Sequence, residues 1–225
     1  MVDVPDAVAQ VVADWTERGR PAQPAIPWPR NRWASTFPKY LELLADLPDA
    51  LDREIVARHG RVAASGPHEA VRALLTVMAW GFGSVGYGPW RTRRILESVP
   101  DAPTRLCDAA RVLKTEGAVP AYHAMATRCR LRGLGPAFGT KYLHFCSSDA
   151  TPGVALVLDR LVANWLNSNT DLSLNPVPWS VRTYERYLEH MAKWSEALRV
   201  APHELECCMF QEEAARRRRS QWAQA

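Results

Sequence analysis

Apolar positions recur at helical spacing along most of this chain. Val8, Val11, Val12 and Trp15 mark a first helix from about Asp6 to Arg18. Tyr40, Leu41, Leu43, Leu44 and Leu47 start a second and Leu51 to His59 a third, divided at Pro48. Ala70, Val71, Leu74, Leu75 and Met78 give Pro67 to Trp80 the stripe of a core helix that stops at glycines. Pro103 to Thr115 and Val119 to Leu131 follow, separated at Gly117, the latter burying Val119, Tyr122, Met125 and Cys129. A helix over Leu158 to Leu166 has its start marked by Asp159. The cleanest stripe, Tyr184, Tyr187, Leu188, Met191, Trp194 and Leu198, runs through Trp179 to Arg199 and reads as core rather than as a binding platform. Pro202 opens a last helix ending in Arg216, Arg217, Arg218 and Arg219, a charge run that suits the helix dipole and solvent better than a grip on DNA. No segment alternates in polarity like a strand, and no repeat of solenoid length is present. The predicted fold class is all-α.

Two stretches break the pattern. Residues 19–38 contain Pro21, Pro24, Pro27, Pro29 and Pro38 and are expected to cross the surface as an extended strap. Trp28, Arg30, Arg32 and Trp33 within it can stack on bases or grip phosphates, but such aromatics more often pin a strap to the body. The second stretch, WGFGSVGYGPWRTRR from Trp80 to Arg94, has glycine at positions 81, 83, 86 and 88, so its backbone can approach a ligand closely. It lacks the spacing of a dinucleotide or Walker phosphate loop. Two uses stay open for it: a groove for bases and phosphates lined by Phe82, Tyr87, Trp90, Arg91, Arg93 and Arg94, or an ordinary helix connection with a solvated arginine turn.

Composition narrows the function classes. With 225 residues and 47% hydrophobic content, the chain can bury a core as one large domain or two closely packed lobes. We expect a single unit over residues 1–225. No apolar run is long enough for a membrane span, and the acidic start MVDVPDAVAQ is unlike a secretory signal, so a cytoplasmic protein without a membrane partner is expected. Cys107, Cys129, Cys146, Cys207 and Cys208 are odd in number and lack paired spacing, so they suggest neither disulfides, nor zinc, nor an iron–sulfur cluster, and read as buried apolar side chains. No metal site is expected. The net charge of +4 permits nucleic-acid binding without demonstrating it, and the excess of arginine over lysine suits phosphate contacts or reflects a GC-rich genome equally well.

The chemistry concentrates between Leu131 and Leu166. Leu131, Gly133, Leu134, Gly135 and Gly139 suggest two helices joined by a tight turn whose backbone amides can bind phosphate. Thr140 and Lys141 are expected to open the second helix, where a lysine amine, once neutral, is a nucleophile. An isolated lysine would ordinarily be a solvated one. Asp159 lies 18 residues further on, at the expected N-cap of the next helix, where a fixed carboxylate can stabilise a developing positive charge.

The run GLGPAFGTKYLHF followed by LVLDRLVANWL resembles the helix-hairpin-helix and Gly/Pro…Asp motif of the helix-hairpin-helix DNA glycosylase superfamily, nearest the bacterial 8-oxoguanine DNA glycosylase-like group. Weaker similarities in Trp80 to Arg91 and in the Tyr184/Tyr187 helix with Leu205 to Phe210 extend it over roughly residues 35 to 215, with the hairpin at about 119–148. The resemblance implies a two-lobed helical architecture and a DNA glycosylase, with AP-lyase activity, that flips a modified base out of double-stranded DNA. It makes Lys141 the nucleophile at C1′ and Asp159 the carboxylate that supports the transition state. It assigns Gly133, Gly135, Gly139, Thr140 and Arg132 to the DNA backbone and makes Trp80, Phe82, Tyr87, Trp90, His144 and Trp179 candidates for the base pocket. It implies no cofactor beyond a monovalent cation at the hairpin, and a monomer. The substrate would be oxidised guanine, as in repair, or a bulky modified cytosine of phage DNA, as in antiviral defence. The chain departs from the motif in a turn read as lengthened by Pro136, Ala137 and Phe138, and in Val157, which stands where a proline is usual. A non-catalytic helix-hairpin-helix DNA-binding protein is the alternative.

Overall fold

The computed structural model describes residues 3–148 and 151–222, with side chains left undescribed from residue 218 onward; Arg218 and Arg219 therefore lie outside the described side chains. The described residues form twelve α-helices and one two-stranded ribbon, so the all-α expectation holds. The chain divides into two compact units, residues 24–155 and residues 1–23 with 156–225.

The larger unit starts where the strap was expected. Within it β1 (Ile26–Pro27) pairs antiparallel with β2 (Ala50–Leu51). Arg30–Thr36 instead forms α2, because Pro29 precedes the helix where a missing N–H costs nothing, and Trp33 buries completely. Trp28 donates through Nε1 to the Pro48 carbonyl at 2.7 Å. Arg30 donates to the carbonyls of Leu44, Ala45 and Leu47, closing the C-terminus of α3 (Leu41–Asp46). These strap side chains are occupied with structure.

Helix α4 (Arg53–Gly60) begins at Asp52, whose carboxylate accepts from the Ile55 amide at 2.8 Å. Helix α5 (Pro67–Phe82) is the core of this unit, buried from Ala70 to Trp80 apart from Arg72, and packs against α4, α7 (Ala102–Glu116) and α9 (Pro136–Cys146). The glycine-rich stretch ends in a helix, α6 (Gly88–Leu96), entered through Pro89. Helix α8 (Ala118–Ala126) stops five residues short of the expected Leu131.

The smaller unit holds α1 (Asp6–Glu17), α10 (Arg160–Asn169), α11 (Val181–Leu198) and α12 (Pro202–Trp222), with α12 packed on the other three. The tyrosine stripe of α11 is core, as expected. Tyr184 Oη accepts from the Leu156 amide and donates to the Leu156 carbonyl, and Tyr187 Oη donates to the Val157 carbonyl at 2.9 Å. These three bonds hold the extended segment that leads into Asp159. On α12, the buried Glu213 is bracketed by Arg216 and Arg217, which hold its carboxyl below the usual carboxylate range.

Candidate active site

The hairpin consists of α8, the turn 127–135 and α9. Gly133 takes a left-handed φ of 89°, which a side chain would strain, and Gly135 is extended and starts the helix. The turn is not lengthened: Pro136 to Gly139 form the first turn of α9, with Pro136 at its favoured first position. Gly139 donates its amide to the Gly135 carbonyl at 2.9 Å, so that amide is spent inside the helix. Thr140 is fully buried, its hydroxyl donating to the Ala137 carbonyl. Of the residues assigned to the DNA backbone, Gly133, Gly135 and Arg132 lie in the turn, whereas Gly139 and Thr140 lie within α9. The amides of Ala137 and Phe138, overlooked in the sequence, precede the first helical hydrogen bond, and no side chain caps this end, so they are open to an anion.

Lys141 is the sixth residue of α9 and is 8% exposed. Its Nζ lies 5.8 Å from the centre of the Phe138 ring, one turn earlier on the same helix. Phe138 stacks on Phe82 at 4.7 Å, and Phe82 meets the edge of Tyr87 at 6.2 Å. Tyr87 in turn lies 4.9 Å from Trp90. Room for this arrangement comes from Gly81, where a Cβ would stand 2.6 Å from the Phe138 ring. An aromatic series therefore runs from the surface, where Tyr87 and Trp90 are 47% and 51% exposed, to the buried amine. Sequence spacing alone could have found Phe138, three residues before Lys141 on one helical face.

Trp80 and His144 belong to a second group. Trp80 packs edge-on against Phe145 at 5.1 Å, with the Arg53 guanidinium 5.6 Å from its centre, and its Nε1 is buried without a hydrogen-bond partner. His144 Nδ1 lies 2.8 Å from the Ala155 carbonyl, so that nitrogen carries the proton and Nε2 accepts from Arg53 at 3.3 Å. The sixth pocket candidate, Trp179, is half-buried just before α11 in the smaller unit.

Tyr87, Trp90, Arg91, Arg94, Ile95, Glu97, Ser98, Arg132 and Gly133 line a cavity of about 490 Å³ beside the hairpin turn. Arg94 lies over the Trp90 ring at 5.3 Å, and Arg91 donates to the Gly133 carbonyl at 2.9 Å. Aromatic faces and guanidiniums together suit bases and phosphates.

Asp159 is the N-cap of α10, as expected, and its Oδ1 accepts from the amides of Leu161 and Val162 at 2.9 and 3.2 Å. The carboxylate is fixed by these bonds and by the tyrosine-held segment before it. Four of the five cysteines, Cys107, Cys129, Cys207 and Cys208, are buried thiols. Burial pushes the Cys208 thiol up to about 12, so it is no nucleophile at neutral pH.

A monovalent cation at the hairpin would need turn carbonyls free to ligate it. The carbonyls of Arg130, Leu131, Gly133 and Gly135 already accept from Arg105, the Leu134 amide, Arg91 and the Gly139 amide, respectively. With four of the six carbonyls from 130 to 135 engaged, the turn offers such an ion few ligands.

A helical chain with a hairpin, a buried lysine on its second helix and an aromatic and arginine-lined cavity beside the turn has the features of a DNA glycosylase-like protein. The family described as "Putative 8-oxoguanine DNA glycosylase OGG-like protein" matches residues 19–210, and the chain belongs to it. No curated protein and no solved structure gives a significant match. Among the described residues no helix is long and apolar enough to cross a membrane.

Proposed function

We propose that the protein is a DNA glycosylase with AP-lyase activity that takes a flipped, modified base from double-stranded DNA. The observation that carries this reading is Lys141 itself. Burying a lysine is costly, and a buried amine is kept where it has a partner or a chemical use. Here the amine stands at the inner end of an aromatic series that begins at the surface beside the hairpin. Each ring offers a face on which a base can stack as it leaves the duplex.

In the reaction, the Lys141 amine forms a bond to C1′ while the glycosidic bond breaks and its electron pair leaves with the base. Asp159 supports the positive charge that develops on the sugar. Loss of a proton from nitrogen and cleavage of the C1′–O4′ bond, with O4′ taking up a proton, then give a protonated imine between Lys141 and C1′; loss of the C2′ proton then lets the C3′–O bond break and the 3′ phosphate leave. The α9 amides of Ala137 and Phe138, with Gly133, Gly135 and Arg132 of the turn, hold a backbone phosphate.

Oxidised guanine is the substrate that the family description supports. Base release measured on duplexes containing 8-oxoguanine, in parallel with DNA containing glucosylated hydroxymethylcytosine, tests this. Release of 8-oxoguanine alone is expected; release of only the glucosylated base would move the role to defence against phage. Salt-sensitive binding with no release from either would favour a non-catalytic DNA-binding protein.

A further inference from the structure

We infer that two guanidiniums, those of Arg91 and Arg105, perform the task of a hairpin cation, so that the turn 127–135 holds its phosphate-ready shape without a bound metal ion. Arg91 reaches from α6 and donates through Nη2 to the Gly133 carbonyl at 2.9 Å. This is the carbonyl of the one turn residue in the left-handed region. Arg105 reaches from α7 and donates through Nη1 to the Arg130 carbonyl at 3.1 Å. Its own aim is set by Asp101 one turn earlier, which accepts from Nε at 3.0 Å. The Leu131 and Gly135 carbonyls between and beyond them accept backbone amides. Four of the six carbonyls from residue 130 to residue 135 thus accept protein donors, two of them cationic, and those of Arg132 and Leu134 do not.

Arg91 also leaves its Nε buried without a partner. A desolvated donor left unmet works against stability, so the contacts at the far end of the guanidinium are what keep it in place. The two arginines come from 42 and 25 residues away in the sequence and tie the turn to α6 and α7. A planar, permanently charged fork suits this better than a small hydrated ion, because it cannot dissociate when the salt changes. Both are positioning residues: they fix the backbone whose amides face the phosphate. Only that last purpose rests on the DNA reading.

Hydrogen exchange at the amides of 127–135, measured in the DNA-free protein at equal ionic strength in KCl, NaCl and tetramethylammonium chloride, tests the inference. Exchange of the wild-type turn is expected to be the same in all three salts. Arg91→Gln combined with Arg105→Gln is expected to speed it on the order of tenfold or more. Arg91→Lys, which restores one cationic donor, is expected to recover most of the protection. Slow exchange in the α5 core marks each variant as folded, and if the double variant does not fold, Arg91→Gln alone carries the comparison. Wild-type protection that rises with potassium or sodium, or variants that exchange no faster than wild type, would overturn the inference. A protein that bound no DNA would sink the proposed function and leave this result untouched.

Discussion

Helices α9 and α10 both begin within the stretch from Leu131 to Leu166, yet their N-termini are built in opposite ways. Helix α10 carries its own anion: Asp159 caps it, and the amides of Leu161 and Val162 are satisfied by that carboxylate. Helix α9 starts at a glycine, with proline next and no side-chain cap, so its first amides and the positive end of its dipole are left to whatever lies outside. One end is filled by its own carboxylate, which the proposed reaction would use; the other is open to an anion from outside. The same stretch thereby separates a fixed charge from a binding charge, with Lys141 one and a half turns inside the open end.

The largest effect is expected at Asp159, where capping and catalysis can be pulled apart. Asparagine caps a helix about as well as aspartate, whereas alanine costs about 1 kcal/mol of stability. Asp159→Asn is therefore expected to melt like wild type in a thermal scan and yet release base at least about 100-fold more slowly in single-turnover assays. Asp159→Ala should lose both. An asparagine variant with full activity would reduce Asp159 to a cap.

A smaller effect sharpens the other half. Gly135 has ordinary extended dihedrals, and nothing stands within 4 Å of a Cβ placed there. Gly135→Asp would give α9 the anion that α10 already has. Stability should be kept or raised by a few tenths of a kcal/mol, while affinity for a duplex holding an abasic-site analogue, read by fluorescence anisotropy, should fall about tenfold. Gly135→Ala should change affinity little. Equal affinity in the aspartate variant would mean that no phosphate sits at the α9 terminus.

What the sequence revealed followed locality. The helical stripes of α5 and α11, the cap at Asp159 and the hairpin were legible because each depends on residues a turn or two apart. The prolines of residues 19–38 concealed α2, since a proline that breaks a helix internally also serves just before or at its start, and only the burial of Trp33 shows which applies here. The apparent lengthening at Pro136 to Phe138 misled for the same reason. The guanidinium on Gly133 and the Phe82–Phe138 stack join residues 42 and 56 apart, pairings that periodicity does not encode. Six pocket candidates were named by residue type, and the structure sorts them: Phe82, Tyr87 and Trp90 form the series toward Lys141, Trp80 and His144 pack with Phe145 and Arg53, and Trp179 belongs to the smaller unit.

Lys141 is the proposed nucleophile, and a duplex carrying a natural abasic site tests that without knowledge of the base removed. Incubated with the protein and borohydride, it should yield a covalent adduct that peptide mapping places on Lys141. Lys141→Met, which keeps the volume and the apolar contacts of the stem, should bind the duplex and form at least about 1,000-fold less adduct. An adduct that persists in Lys141→Met, or that maps to another residue, would contradict the central claim.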